Sequence, residues 1–396
     1  MSGDPFYQGT ADGWYFGQPY PYQPYWPSWP VLPVVPDYCM CQRCPCCGKV
    51  VRPTPFVSLT TTITNETNTA SRDRINHDRA HNTQRVVSHF QVMVQDPDGV
   101  DSQLLAMETA KNSNYNVSAW KMYPGFQPIF QMDDARGRAV IDKGLSLGVP
   151  LFCIHKGLPI GLFFSVKGNH PRDIGVVAKD YKSTDAKFII YHSAIDAGYD
   201  PGDGGAGTTN APPEGPYDPN EANPIGVNAL IRSMIDNGIG PNENVFGEVG
   251  TAISQVMKPS AGPDAAAHFF GKLMKYVGED NVVWGTDCII YGSPQPLIQW
   301  FRSLSIPQSM QDTYGYPALD ATRKAKIFGL NAARIYGVDV KATRCKVDGC
   351  PTAQLKRRLD EELGPNRWAF QQPGGPRTWE EFARDSRDNE KRGRPG

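Results

Sequence analysis

The chain lacks an excess of either charge and lacks any long apolar run. Its 40 Lys and Arg residues oppose 41 Asp and Glu residues, for a net charge of -1. This balance gives no reason to expect nucleic acid or an anionic membrane as the main partner, and no apolar stretch approaches the length of a membrane span. The opening residues, MSGDPFYQGTADGW, show neither the basic nor the apolar region of a secretory signal. We expect a cytoplasmic protein, and a homodimer is an open alternative to a monomer.

The first 55 residues lack a helical or strand period. The stretch GQPYPYQPYWPSWPVLPVVPDY is dense in proline and aromatic residues, and proline is excluded from central strands because it cannot donate to a ladder. We therefore expect residues 1–55 to form a largely irregular arm without a regular first strand.

Cysteine is scarce outside two short clusters. Five of the nine cysteines lie in CMCQRCPCCGK and two in RCKVDGC, and clustered cysteines without a secretory signal suggest metal or redox chemistry. One hypothesis is a structural zinc site, with ligands Cys39, Cys41, Cys44 and Cys47 or with a second half from Cys345 and Cys350. The alternative is unpaired thiols in the arm.

Beyond the arm, short β-branched or aromatic runs alternate with amphipathic helical patterns. RVVSHFQVMV, VSAWKMY, VPLFCIH, AKFIIYH, NVFGEVG and NVVWGTD read as strands, with FVSLTTTIT before them. Such alternation predicts parallel βαβ units, and about seven strands favour an α/β fold of the (β/α)8 TIM-barrel type with an atypical or missing first strand. No glycine-rich phosphate fingerprint supports a dinucleotide fold. The predicted domains are the arm, 1–55, the barrel, 56–340, and a partly helical C-terminal extension, 341–396.

Strand after strand ends on a polar or ionisable residue. These residues are Lys121, His155, His192, Glu248 and Asp287. In a parallel barrel the carboxyl ends of the strands gather around one mouth. One histidine at a strand end is more often structural than functional, but five such residues on successive strands predict a site.

Six motifs in this order resemble the amidohydrolase superfamily, in the amidohydrolase-related branch that includes aminocarboxymuconate-semialdehyde decarboxylase. They are SAWKMY, LFCIHKGLP, FIIYHSAID, NVFGEVGTA, VVWGTDCIIYGSPQ and KIFGLNAARIYGVD, within about Gln84 to Val340. The resemblance implies a divalent metal, with zinc expected, at the barrel mouth. It implies that His155 and Asp287 bind the metal, and that His192 is a further ligand or a proton shuttle.

The chain departs from this family at one point. The family's first strand carries a His-x-His pair that anchors the metal, whereas none of the seven histidines here lies two positions from another. Two hypotheses therefore stand. The first is a metal-dependent hydrolase or decarboxylase, the latter a carbon–carbon lyase, for a small carboxylated or acyl substrate. The second is a non-catalytic barrel that serves as a scaffold or binding protein.

The enzyme hypothesis gives each strand-end residue a role. Asp287 and His192 are the expected catalytic residues, because a carboxylate can take a proton from water and an imidazole can move protons near neutral pH. His155, His192 and Asp287 are the expected metal ligands. Lys121, Lys156 and Glu248 are the expected substrate-binding residues.

Overall fold

The computed structural model describes most of the chain between residues 87 and 343. The described residues are 87–94, 99–112, 117–126, 128–158, 166–195, 214–257, 261–287 and 294–343, with the isolated positions 354, 357, 358 and 361. The arm, the cysteine cluster with its predicted zinc site, and the strand predicted at FVSLTTTIT lie outside them, so the predicted domain boundaries stay predictions. None of the described helices is both long and apolar enough to cross a membrane.

Six parallel strands form one sheet in which spatial order follows chain order. The strands are β1 (Ser88–Val92), β2 (Val117–Met122), β3 (Leu151–His155), β4 (Lys187–Tyr191), β5 (Val245–Glu248) and β6 (Val282–Val283). Each strand pairs in parallel with the next one in the chain. An open doubly wound sheet reverses its strand order part-way, whereas a barrel does not. The order confirms the predicted α/β TIM-type fold.

Helical segments connect the strands and follow the last one. They are α1 (Gly99–Asn112), α2 (Ala135–Ser146), α3 (Val166–Asn169), α4 (Arg172–Asp180), α5 (Gly226–Asp236), α6 (Ala252–Val256), α7 (Ala265–Lys272), α8 (Gln295–Ser303), α9 (Gln308–Tyr314), α10 (Ala321–Ala325) and α11 (Asn331–Ile335). A π-helical turn, Leu273–Gly278, continues α7, and a second one, Lys326–Leu330, joins α10 to α11.

The sheet has an apolar cluster on each face. The larger cluster lies between the sheet and the helices and contains the outward residues Trp120, Phe152 and Phe188. The smaller cluster lies on the opposite face and contains alternate residues of successive strands: Ala119, Leu151, Cys153, Ile189, Tyr191, Phe246 and Val283. A sheet whose strands are apolar on both faces is typical of a barrel, where one face packs inward and the other packs against helices. Cys153 is fully buried in this inner cluster.

Local interactions fix where the helices begin and how closely they approach. Asp134 caps α2, because its carboxylate accepts hydrogen bonds from the N–H groups of Arg136 and Gly137. Gly175 of α4 donates its N–H to Ser233 Oγ of α5 over 2.9 Å. A Cβ at Gly175 would overlap the Ser233 carbonyl group, so glycine permits the two helices to touch.

The last strand is shorter than the sequence predicts. NVVWGTD predicts a strand from 281 to 287, but only Val282 and Val283 pair as a strand. The next amide, Trp284 N–H, donates to the carbonyl of Ile327 in the second π-helical turn at 3.1 Å. A carbonyl group of a helical segment thus accepts the hydrogen bond that a neighbouring strand would otherwise accept.

Candidate active site

The inward side chains at the carboxyl ends of the strands follow from strand alternation. Lys121 of β2 pairs in register with Cys153 of β3, and His155 of β3 pairs with Tyr191 of β4. Successive side chains alternate between faces, so His155 lies on the same face as Cys153, and Glu248 lies on the same face as Phe246. All three polar side chains, Lys121, His155 and Glu248, are buried.

His192 reaches the same face by a different route. It follows the inward Tyr191, so alternation alone would direct its side chain outward. The backbone instead turns left-handed, with φ of 61° at His192, 49° at Ser193 and 57° at Ala194. Non-glycine residues rarely adopt this conformation, which costs roughly 1–3 kcal/mol each. The turn places the imidazole beside His155, with 4.9 Å between the ring centroids in an edge-to-face arrangement.

Glu248 connects the turn at His192 to the loop at Gly250 by hydrogen bonds. Its Oε2 accepts a hydrogen bond from the His192 N–H at 3.0 Å, and its Oε1 accepts one from the Gly250 N–H at 2.6 Å. Gly250 in turn accepts a 2.7 Å hydrogen bond from His192 Nδ1 at its carbonyl oxygen. Because a carbonyl only accepts, Nδ1 carries the proton and Nε2 has a free lone pair. Gly285 passes so close to the Glu248 carboxylate that a Cβ there would overlap it.

Asp287 joins the group from the end of the β6 segment. It is another left-handed residue, with φ of 49°, and its Oδ2 lies 3.5 Å from His192 Nδ1. The Thr251 hydroxyl donates a short hydrogen bond to the same carboxylate oxygen. Thr251 follows Gly250, so one loop contacts both His192 and Asp287. Asp287 is about one-quarter exposed, with 28% of its side chain accessible, whereas only 7% of the His192 side chain is.

Lys121 lies between these groups and the inner cluster. Its Nζ is 3.1 Å from the centroid of the Tyr191 ring and 4.7 Å from that of Tyr123. The amine is buried and makes no hydrogen bond to any described residue. Both features are unusual for lysine, whose ammonium normally binds three acceptors or water.

The contacts of Lys156 differ from those of Lys121. It follows His155, and its fully buried ammonium forms an ion pair with Asp173 at 2.8 Å. It also donates to the carbonyl oxygens of Gly168 at 2.9 Å and His170 at 3.3 Å. All three N–H donors therefore have protein partners. The substrate-binding role predicted for Lys156 stays a prediction, and its contacts are those of a structural lysine.

A second polar network lies beneath Lys121, and none of the sequence motifs predicts it. His89 of β1 lies between two tyrosines, with Nδ1 3.1 Å from the Tyr191 hydroxyl and Nε2 2.8 Å from the Tyr336 hydroxyl. The thiol of Cys153 also interacts with both tyrosines. Alternation along SHFQVMV could have placed His89 on the inner face. Tyr336 follows α11 and carries no local signal of this contact.

Burial shifts the pKa values of these groups in the direction that favours their neutral forms. It lowers the pKa of Lys121 to about 7, although Cys153, Glu248 and Asp287 act in the opposite direction. It raises the pKa of Glu248 to about 8, with Asp287 adding to the effect. Burial lowers the pKa of His192 to about 4 against the opposing charge of Asp287, and it lowers the pKa of His155 well below its usual range. Both imidazoles are therefore neutral at pH 7.

The three predicted metal ligands are of residue types that bind divalent ions. Neutral imidazole and carboxylate are ligands that zinc accepts. Within the described part of the chain, however, no three His, Cys, Asp or Glu side chains are grouped so that they could hold an ion. His155 and Asp287 each lie beside His192, and the metal-binding roles of the three residues stay predictions.

One known protein family matches part of the chain. Residues 240–338, which contain Glu248, Thr251 and Asp287, match the amidohydrolase family model. The match confirms the predicted resemblance to the amidohydrolase-related branch. The particular likeness to aminocarboxymuconate-semialdehyde decarboxylase stays a prediction.

The solved structures that match the chain are distant from it in sequence. An uncharacterised TIM-barrel protein from Bordetella bronchiseptica is 13% identical, with a TM-score of 0.44 over 67% of this chain and 72% of that one. The 2,6-dihydroxybenzoate decarboxylase from Rhizobium is 15% identical, with a TM-score of 0.39 over 69% and 78%. The 4-oxalomesaconate hydratase from Rhodopseudomonas palustris is 15% identical, with a TM-score of 0.37 over 76% and 79%. No curated protein matches the chain.

Proposed function

We propose that this protein is an amidohydrolase-type enzyme that hydrolyses or decarboxylates a small carboxylated or acyl substrate at the carboxyl ends of its strands. The observation that carries the proposal is the joined cluster of His155, His192, Glu248 and Asp287, with Lys121 beside it. Glu248 and the Gly250–Thr251 loop connect members of this cluster by hydrogen bonds. Strained left-handed residues at two strand ends are the kind of backbone that functional sites retain.

Within this proposal Lys121 binds the substrate. A substrate carboxylate would supply the hydrogen-bond acceptor that the described residues do not give its Nζ. A charge-assisted hydrogen bond in a buried site is stronger than one in water. The substrate class follows from this match between a buried amine and an anionic group.

His192 and Asp287 move protons in the same proposal. The His192 Nδ1 proton is held by the Gly250 carbonyl, so the lone pair on Nε2 can accept a proton. Asp287 is the more exposed of the two and is oriented by the Thr251 hydroxyl, so it can take a proton from a water molecule. Glu248 holds both loops in place and is a positioning residue.

Members of the amidohydrolase superfamily typically bind divalent metals, and we propose that zinc is the cofactor here. His155, His192 and Asp287 would contribute to its ligand set. We further propose a cytoplasmic protein with a small-molecule partner, without nucleic acid or membrane binding, and with a homodimer as an open assembly.

The test combines turnover with metal analysis. Purified full-length protein is incubated with Zn²⁺, Mn²⁺ or Fe²⁺, or with a chelator, and offered small keto acids, aromatic acids, lactones and acyl amides. We expect release of CO2 or of a hydrolysis product from at least one class, and metal bound in a stoichiometric amount. Turnover that survives complete removal of metal would contradict the zinc proposal but not the proposed enzyme.

One sequence feature favours a second function, a non-catalytic scaffold or binding protein. The His-x-His pair that anchors the metal in the resembled family is absent from all 396 residues. A folded wild-type protein that stays free of metal and turns over none of these compounds would decide for the scaffold.

A further inference from the structure

Three lysines are buried among the described residues, and Lys121 differs from the other two. Lys156 has three protein acceptors, including Asp173. Lys272 donates to Glu214 and to Asn228. Lys121 has no hydrogen-bond acceptor within the described part of the chain, and its Nζ lies against aromatic rings. An ordinary structural explanation, a buried ion pair, fits Lys156 and Lys272 and does not fit Lys121.

We infer that Lys121 is a nucleophilic amine that forms an imine with the carbonyl carbon of a small oxo acid. This inference rests on the proposed function and deepens it by naming the substrate class. The neutral amine attacks the carbonyl carbon, and the N–H of the protonated imine then donates the charge-assisted hydrogen bond to the substrate carboxylate. The position supports it, because Lys121 lies on the inner face near the carboxyl end of β2, with Cys153 beside it in register. The Tyr191 ring covers the amine on one side, which limits the access of water that would hydrolyse an imine.

The charge state of the amine agrees with this role. Only the unprotonated amine can attack a carbonyl, and desolvation is a recognised way to make a lysine nucleophilic at neutral pH. Burial lowers the pKa of Lys121 to about 7. A substantial fraction of the side chain is therefore neutral under ordinary conditions.

The reaction balances with groups that the site or solvent supplies. The amine nitrogen bonds to the carbonyl carbon, and the carbonyl electron pair moves to oxygen. One proton from nitrogen and one from a neighbouring carboxyl group or solvent convert that oxygen into a departing water molecule. The product is a protonated imine that retains one N–H.

A 3-oxo acid bound in this way can lose CO2. The bond to the carboxylate breaks, and its electron pair moves through the new double bond to the iminium nitrogen, which gives an enamine. A proton adds to the enamine carbon, and water then hydrolyses the imine to release the ketone and the free amine. The lysine thus serves as the electron sink that decarboxylation requires.

Reductive trapping tests the inference. Wild-type protein is incubated separately with acetoacetate, oxaloacetate, pyruvate and 2-oxoglutarate, each with sodium cyanoborohydride, and the modified lysine is identified by peptide mass spectrometry. We expect at least one probe to label Lys121 about tenfold faster than it labels exposed lysines. Lys156 and Lys272 serve as internal controls, since both are buried but have acceptors, and they should stay unlabelled.

Two variants separate the site from background. Lys121→Met and Lys121→Arg should each lose the fast label, and circular dichroism should show whether each remains folded. If neither variant folds, the position of the label in the wild type still decides. Label spread over exposed lysines without Lys121, for all four probes, would overturn the inference. Turnover of a carboxylated compound without label at Lys121 would also overturn it while leaving the proposed function intact, whereas no turnover and no label would remove both.

Discussion

The burial of a single histidine makes the stability of the folded protein depend on pH. His89 lies on the inner face between the hydroxyl groups of Tyr191 and Tyr336. Burial, with Lys121 adding to it, lowers the pKa of His89 to about 3. The unfolded chain binds a proton at this histidine near pH 6.5, and the folded chain does not. The contribution of His89 to folding is therefore full above pH 6.5 and is lost as the pH falls towards 3.

His89→Gln tests this linkage. The variant should be less stable than the wild type at pH 7, because part of the tyrosine network is lost. The difference in free energy of unfolding should shrink by about 2 kcal/mol between pH 7 and pH 5, since only the wild type gains a proton on unfolding at this position. Urea denaturation at both pH values measures it. A difference that stays constant would show that His89 titrates alike in both states.

Thr251 is a positioning residue, and the effect of its hydroxyl group can be separated from the effect of side-chain size. Thr251→Val keeps the shape but removes the hydroxyl donor to Asp287. We expect kcat to fall by roughly 10- to 100-fold with little change in KM, which corresponds to the loss of one hydrogen bond to a charged group. Thr251→Ser retains a hydroxyl and should recover most of the rate. Equal losses in both variants would mean that Thr251 acts through packing alone.

At the scale of elements, periodicity and residue type predict much of this molecule. The short apolar runs LFCIH and KFIIY predict two strands, and both are present as β3 and β4. The apolar pattern of AAAHFFGKLMKYVG predicts a helix, but α7 continues as a π-helical turn from Leu273. The change of hydrogen-bond register depends on tertiary contacts that the pattern does not encode.

The candidate site is less visible in the sequence than the strands that carry it. Lys121, His155 and Glu248 follow from strand alternation. The orientations of His192 and Asp287 depend on left-handed turns at non-glycine residues, which residue type disfavours. The Thr251 contact and the inward position of Tyr336 join segments far apart in the chain, so no local pattern reports them.

The contact between α4 and α5 gives a prediction about packing. Gly175→Ala should destabilise the fold by about 1–3 kcal/mol, because the new methyl group would force the backbone of Ser233 away. Gly329→Ala is the matched control. It lies in a helical segment with no atom within 4 Å of the added Cβ, so it should be neutral or stabilising by up to about 1 kcal/mol. The midpoint of urea denaturation should fall for Gly175→Ala and should stay the same or rise for Gly329→Ala. An equal fall in both variants would contradict the packing argument.

At the scale of the whole molecule, the residues that follow α11 contact the first described strand. Tyr336 follows α11 and binds His89 of β1 through its hydroxyl, with the two rings stacked 5.8 Å apart. Ile335 and Tyr336 also pack on the inner cluster. The end of the barrel sequence thereby supports the inner face beneath Lys121 and the site above it.

The most direct measurement of the central claim compares turnover in two aspartate-to-asparagine variants. Asp287→Asn keeps its shape but cannot take a proton, so we expect turnover to fall by about 10²- to 10⁴-fold, with the circular dichroism spectrum unchanged. Asp185→Asn changes an exposed carboxylate just before β4, at the opposite end of the strands, and should retain full turnover. Loss of turnover in Asp287→Asn alone would support a working site at the carboxyl ends of the strands, and equal turnover in both folded variants would contradict it.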